Sequence, residues 1–366
     1  MELLWQFISW WMFISENIRL KKSSFLIILI LLITFVYFIN TFFLYFTDNT
    51  NFNHNQFSFF IDSDDNIDSL AINLKPYLKS VNNFVKVSKK KGYANNIKPG
   101  KYIIKKGSSN NDIINNLRIN RLTVNVVFNN QERLEDLVLR ISKQVMTDSL
   151  SLINSFLDPD FLSQKGFNSL NALSMYIPNT YDFYWDVSSE KFRDRMWKEY
   201  NSFWNEELEI KAKKINLTKI EVYILASIVQ KESIKQIEKN RIAGVYINRL
   251  KRNMKLQADP TVIYAIKKES NDFKKNIKRV LYKDLKIKSI YNTYYNRGLP
   301  PSPICMPDLS TILAVLNPEN HSFLYFVSDP ENFGFHLFSE DLIGHNRNKK
   351  KYINWLNKNK IYRWFF

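Results

Sequence analysis

Residues 25–46, FLIILILLITFVYFINTFFLYF, run for 22 residues without a charge. As a helix they reach roughly 33 Å at 1.5 Å per residue, enough to cross a hydrocarbon core. Tyr37, Tyr45 and Phe46 lie toward the second half, where an interfacial aromatic belt forms. Arg19, Lys21 and Lys22 precede the run, and no Lys or Arg follows it before Lys75. The positive-inside rule places the N-terminus in the cytoplasm and the long C-terminal part outside. A cleaved signal peptide fits poorly: the run is long, 24 residues precede it, and no small-residue cleavage site follows. The expectation is a single-pass anchor. The stretch at 5–14 is apolar but too short to span, which suits a segment lying flat in the interface.

The formal charge of +17 suits an anionic partner, but the excess is scattered along a chain crowded with Lys, Asn and Ile. No nucleic-acid motif accompanies it, and nucleic acid is not an expected partner for a chain whose bulk lies outside the cell. With 28 Phe, 19 Tyr and 8 Trp, chain-wide disorder is excluded. The single cysteine, Cys305, rules out an intrachain disulfide and any Cys-based metal site. His54, His321, His336 and His345 lack metalloprotease spacing, so neither metal nor cofactor is expected.

Outside the anchor, residues 47–56 are polar and Asn-rich and read as a linker. A strand-like run at 57–61 precedes a short helix carrying Ile67, Leu70, Ala71 and Leu74, ended by Pro76. A Pro99-Gly100 turn leads into a second β run, and Ser109 with Asp112 forms a capping box before Ile113, Ile114 and Leu117. This alternation predicts a small α/β module. A further strand-like run covers 122–128. Helices then dominate, at 134–144, 190–207, 219–232, 241–252 and 260–268. The fold class expected is α+β.

The helix at 219–232 carries the chemistry. Thr218 and Glu221 form a capping box, and Leu217 and Val222 are spaced for a hydrophobic staple. Residues 222–229 are almost wholly apolar, so the helix is buried. Glu232 shares a face with Leu225, Ile228 and Val229. A carboxyl at the end of an apolar stripe is partly desolvated, which raises its pKa toward that of a general acid. A surface glutamate at the emerging end of a buried helix is the plain alternative.

The surrounding motifs narrow the choice. LASIVQKES at 225–233, AGVYINRL at 243–250 and MKLQADPTVIY at 254–264 closely resemble the YceG-like endolytic murein transglycosylases. YNTY at 291–294, GLPPSPI at 298–304, LNP at 316–318, LYFV at 324–327, HLF at 336–338 and HN at 345–346 follow in the same order. KPGKY at 98–102 and FNNQ at 128–131 look like that family's LysM-like subdomain. The resemblance implies a LysM-like subdomain at 57–121 and a mostly helical catalytic domain at 122–352, which join the expected cytoplasmic segment at 1–24, membrane helix at 25–46, linker at 47–56 and a basic aromatic tail at 353–366. It implies cleavage of the MurNAc–GlcNAc bond within glycan strands, with Glu232 as catalytic acid and peptidoglycan as substrate. It further implies association with synthases of the elongation machinery at the bacterial inner membrane. Two departures stand out. Gln230 occupies a position that is often Glu, and Leu173-Ser174 and Asn179 replace Glu-Gly and Asp around YIPNTY at 176–181.

Ordinary glycosidases need two carboxyl groups. A lytic transglycosylase manages with one, closing a 1,6-anhydro ring with the sugar's own C6 hydroxyl, whose proximity gives it a large effective molarity. Asn248 and Gln257 offer hydrogen bonds to sugar groups or structural amides. Asp259, a further substrate-binding candidate, precedes Pro260 and is expected to act mainly as an N-cap. Tyr291, Asn292, Thr293, Tyr294, Pro300 and Ser302 make either a saccharide wall or a packed loop. His336 binds substrate or satisfies a core. A hydrolytic muramidase and a non-catalytic wall-binding scaffold are the competing functions; the first needs a second carboxylate and the second makes Glu232 dispensable.

Overall fold

The structure is a computed structural model that describes residues 22–277 and 279–359, with residues 5, 6, 8, 9, 12 and 13 ahead of them. The rest of the apolar 5–14 stretch, and residues 360–366 of the expected tail, lie outside the described residues. The fold is mixed α+β, mostly helical, and divides between Thr123 and Val124 into two compact units.

The first unit begins with helix α1 (Lys22–Phe46), within which Ser24–Phe46 is long and apolar enough to cross a membrane. Strand β1 (Gln56–Ile61), helices α2 (Ile67–Leu74) and α3 (Val81–Lys90), strand β2 (Gly100–Lys105) and helix α4 (Asn110–Ile119) follow. β1 pairs antiparallel with β2, with Gln56 opposite Lys105 and Ile61 opposite Gly100. Asn66 caps α2, Ser80 caps α3, and the Ser109–Asp112 capping box starts α4. Phe59, Ile61, Leu70, Leu74, Phe84, Tyr102, Ile104 and Ile113 close a core of their own.

The polar segment at 47–56 is not a free linker. Asn49 is buried, donating to the Ser80 carbonyl at 2.9 Å and to Asn110 Oδ1 at 2.7 Å. Thr50 Oγ1 accepts the Gly107 amide at 2.8 Å, and Asn110 Nδ2 donates to the Leu44 carbonyl in the last turn of α1. Side-chain amides and hydroxyls that mark a loop in the sequence here supply the hydrogen bonds that fix it.

The second unit pairs strand β3 (Thr123–Phe128) with β4 (Asn179–Tyr184), between which lie α5 (Leu134–Ser142), α6 (Ser149–Phe156) and α7 (Pro159–Gln164). Where one helix was expected over 190–207 there are two, α8 (Ser189–Phe203) and α9 (Glu206–Lys214). Trp204 turns inward between them, and Asn205 restarts the helix by accepting the Leu208 amide at 3.0 Å. Helices α10 (Lys219–Glu232), α11 (Gln236–Lys251), α12 (Asp259–Glu269) and α13 (Leu309–Leu316) come next. A hairpin of β5 (Tyr325–Ser328) and β6 (His336–Ser339) and helix α14 (Leu342–Lys358) complete the unit. Asp341 caps α14, which continues through 353–358, so those residues end a helix rather than begin a separate tail. α6, α7 and α13 are too short for periodicity to reveal.

α10 is the axis of this unit. All eight residues from Val222 to Val229 are buried, and the helix packs against α9, α11, α12 and α13. The expected capping box is formed: the Thr218 amide donates to Glu221 Oε2 at 2.8 Å, and Thr218 Oγ1 accepts the Glu221 amide at 3.2 Å. Ser233, in extended conformation, ends the helix immediately after Glu232. Gly244 lets α11 approach the 319–321 segment closely; a Cβ there would lie 2.6 Å from His321 Nε2 and 2.7 Å from the Glu319 carbonyl.

Candidate active site

Glu232 stands on the last turn of α10, where the aligned peptide dipoles already disfavour a negative charge. Tyr246 of α11, fully buried, donates its phenolic proton to Glu232 Oε1 at 2.6 Å. The glutamate retains some accessible surface, yet protein surrounds its carboxyl closely. Burial pushes its pKa from the ordinary 4.5 up to about 7. The Tyr246 hydrogen bond pulls it down, the nearby negative charge of Asp259 pushes it up, and Arg249 pulls it down. A carboxyl so placed is divided between acid and base near neutrality, the condition for giving a proton and taking one back.

Tyr246→Phe removes the hydrogen bond that favours the charged form. The alkaline limb of the pH–rate profile is expected to move up by about one pH unit. Packing loss alone would lower the rate without moving the limb, so the profile separates the two roles.

The other candidates fall into two groups. Asp259, Tyr294 and Gln257 remain at or near the surface, and the first two interact electrostatically with Glu232. Asp259 opens α12 but does not cap it, since Ala258 holds the cap position without a side-chain bond. The Asp259 carboxylate instead accepts the Tyr294 hydroxyl at 2.6 Å, and its charge reaches Glu232. The N-capping expectation is corrected accordingly. Gln257 is exposed at a left-handed φ of 51°, its backbone N–H donating to the Thr293 carbonyl at 3.2 Å.

The second group is turned inward. The Tyr291 hydroxyl lies 2.8 Å from Ser302 Oγ, both residues being buried. Asn292 donates to the Leu285 and Ile287 carbonyls, and Thr293 Oγ1 accepts the Ala258 amide at 2.9 Å. Pro300 is buried as well. These five form a packed loop, the side chains of Tyr291, Asn292, Thr293 and Ser302 bonding inside the protein, while Tyr291 and Ser302 also border a cleft of about 370 Å³. Asn248 holds the 321–323 segment by donating to the His321 and Phe323 carbonyls at 2.8 and 3.2 Å. His336 is gripped by Glu238, which accepts its backbone amide at 3.0 Å and meets its Nδ1 at 2.9 Å.

Residues that the sequence did not mark as catalytic or binding complete the site. Besides Tyr246, buried Arg249 donates to the Leu324 carbonyl at 2.6 Å and the Leu256 carbonyl at 2.7 Å. Gln230 joins a neutral amide to a charged surround: its Nε2 donates to Asp308 Oδ2 at 2.9 Å, and its Oε1 accepts from Lys239 at 3.0 Å and from Thr311. Spacing gave one usable sign, since Tyr246 and Arg249 are three apart on one face of a helix that is buried from Ile242 to Ile247. Among the described residues, no group of three His, Cys, Asp or Glu side chains is placed to hold a metal ion.

The YceG-like family model matches residues 59–351. The chain belongs to the YceG-like family. Its match to an endolytic murein transglycosylase of Bacillus subtilis is 38% identical over 201 residues, covering 54% of this chain and 53% of the relative. An endolytic murein transglycosylase of Streptococcus pneumoniae is 35% identical over 139 residues, covering 38% of this chain and 25% of the relative. This YceG-like chain thus aligns with about half the length, or less, of these curated relatives. The crystal structure of a YceG-like protein from Listeria monocytogenes superposes with a TM-score of 0.53 at 25% identity, covering 80% of this chain and 98% of that one.

Proposed function

We propose that the chain is an endolytic peptidoglycan transglycosylase that cuts the MurNAc–GlcNAc bond within glycan strands, with Glu232 as acid and then base. The observation that carries the reading is the Tyr246–Glu232 hydrogen bond around a carboxyl whose pKa lies at about 7. The names of the relatives support it. Protonated Glu232 gives its proton to the glycosidic oxygen as the C1–O bond breaks and positive charge develops on the sugar. The C6 hydroxyl of the same muramic acid attacks C1, its proton passes to the Glu232 carboxylate, and a 1,6-anhydro end is left. Tyr246 holds the carboxylate oriented between the two transfers.

In this reading α1 is a single-pass anchor with a cytoplasmic N-terminus, and the second unit works outside the membrane on new strands beside elongation synthases, ending their growth. The β-α-α-β order of residues 56–105 supports taking the first unit as LysM-like.

One observation favours the hydrolytic alternative: Asp259 supplies a second carboxylate whose charge reaches Glu232. Mass spectrometry of glycan strands digested by the full chain decides between them. Anhydro-terminated fragments are expected. Ends carrying added water would assign Asp259 to activating that water, and no cleavage by folded, membrane-reconstituted protein would leave only the scaffold.

A further inference from the structure

A cleft of about 400 Å³ is lined by Lys231 of α10 and Pro260 of α12, the chain neighbours of Glu232 and Asp259, which do not themselves line it. Four lysines line it: Lys231, Lys267, Lys274 and Lys275. Lys231 and Lys267 bracket a single acid, Glu132, at 2.9 and 2.8 Å. That carboxylate offsets one of four positive charges. Lys274 and Lys275 are exposed and have no ion pair among the described residues. Apolar and aromatic side chains, Tyr264 and Phe273 among them, form most of the remaining wall, with Asn276 beside them. A second cleft of about 370 Å³ shares Glu132, Tyr264 and Phe273 with the first and adds Lys268, Glu135 and Arg133, whose guanidinium stacks 4.4 Å over Phe273 and pairs with Asp136 at 2.6 Å.

We infer that this basic groove binds the acidic stem peptide of the strand being cut. The inference rests on the transglycosylase reading and names a further part of its substrate. The peptide hangs from the lactyl ether of muramic acid, the sugar whose C1 must face Glu232, so a peptide site has to adjoin that residue. Its free carboxylates match the unpaired lysine charges, and its alanine methyls match the apolar wall. Neutral sugar hydroxyls would gain little from three uncompensated cations, whereas carboxylates gain charge-assisted hydrogen bonds.

The test is titration calorimetry of the full-length Glu232→Gln chain in detergent micelles with a synthetic acidic stem pentapeptide. The same peptide with its carboxylates amidated and a soluble poly(glycerol phosphate) serve as comparisons. The acidic peptide is expected to bind about tenfold more tightly than its amidated form, and Lys274→Gln/Lys275→Gln is expected to remove about the same factor. The advantage should shrink as salt rises, because these lysines are exposed. Equal binding of both peptides, no binding, or tighter binding of the phosphate polymer would overturn the proposal. The amidated peptide needs no mutation, so misfolding cannot mimic the result. Wild-type chain that cuts strands without binding peptide would remove the groove and leave the transglycosylase. Binding without cutting would do the reverse.

Discussion

Glu232→Gln is expected to abolish strand cleavage while raising stability at alkaline pH. A general acid contributes about 10²–10⁴ in rate, so turnover should fall by at least about a hundredfold. The amide cannot give or recover a proton, although its carbonyl can still accept the Tyr246 hydroxyl. The stability change follows from linkage. Burial lifts the folded pKa of Glu232 from 4.5 to about 7, so between those values the folded state binds more protons than the unfolded. Stability from this group is therefore present below pH 4.5 and lost as pH rises through 7. The loss amounts to about 3 kcal/mol, and the uncharged glutamine of the variant escapes it. Thermal unfolding of wild type and variant at pH 8 and pH 4.5 checks the sign: the variant should melt higher at pH 8, and its advantage should vanish at pH 4.5. An unchanged midpoint at both would show that the glutamate is not desolvated in solution.

The same residue shows what a sequence can and cannot display. The Thr218–Glu221 capping box, the apolar body of α10 and the emergence of Glu232 at its end are local matters, set by side chains within a few turns, and they were readable. So was the uncharged apolar run at Ser24–Phe46, within the first unit. Tyr246 was not, because it lies on a different helix 14 residues away and meets Glu232 only when α10 and α11 pack. The string Tyr291-Asn292-Thr293-Tyr294 misled in the opposite sense. Four polar side chains on a Pro-rich loop suggest a wet groove, yet three of them turn inward to satisfy backbone groups and buried hydroxyls of the loop and of α12. Only Tyr294 reaches the site, through Asp259. Composition records how many hydrogen-bonding groups a loop has; the fold decides which of them buried carbonyls consume.

Arg249→Met is expected to be the most destabilising single change near the site, by about 3–5 kcal/mol. The guanidinium is buried and donates to the carbonyls of Leu324, Leu256 and Lys255 at 2.6, 2.7 and 3.3 Å. It thereby ties α11 to the turn that presents Gln257 and Asp259 and to the residue ahead of β5, and it lies 5.1 Å over the Tyr325 ring. Methionine fills comparable volume but leaves those carbonyls unpaired away from water. Arg249→Lys should recover only part of the loss, because one ammonium cannot reproduce a planar fork reaching separate carbonyls. Arg249 also lowers the Glu232 pKa, so removing its charge should carry the alkaline limb of activity upward, in the same direction as Tyr246→Phe. Lysine keeps a positive charge near the carboxyl and should hold the limb near its wild-type position even where stability falls. Melting temperatures and pH–rate profiles of the Met and Lys variants therefore separate the two duties of this side chain. A Met variant that melts with the wild type would mean that water already satisfies those carbonyls. A limb that stays fixed in the Met variant would mean that the guanidinium charge is screened from Glu232.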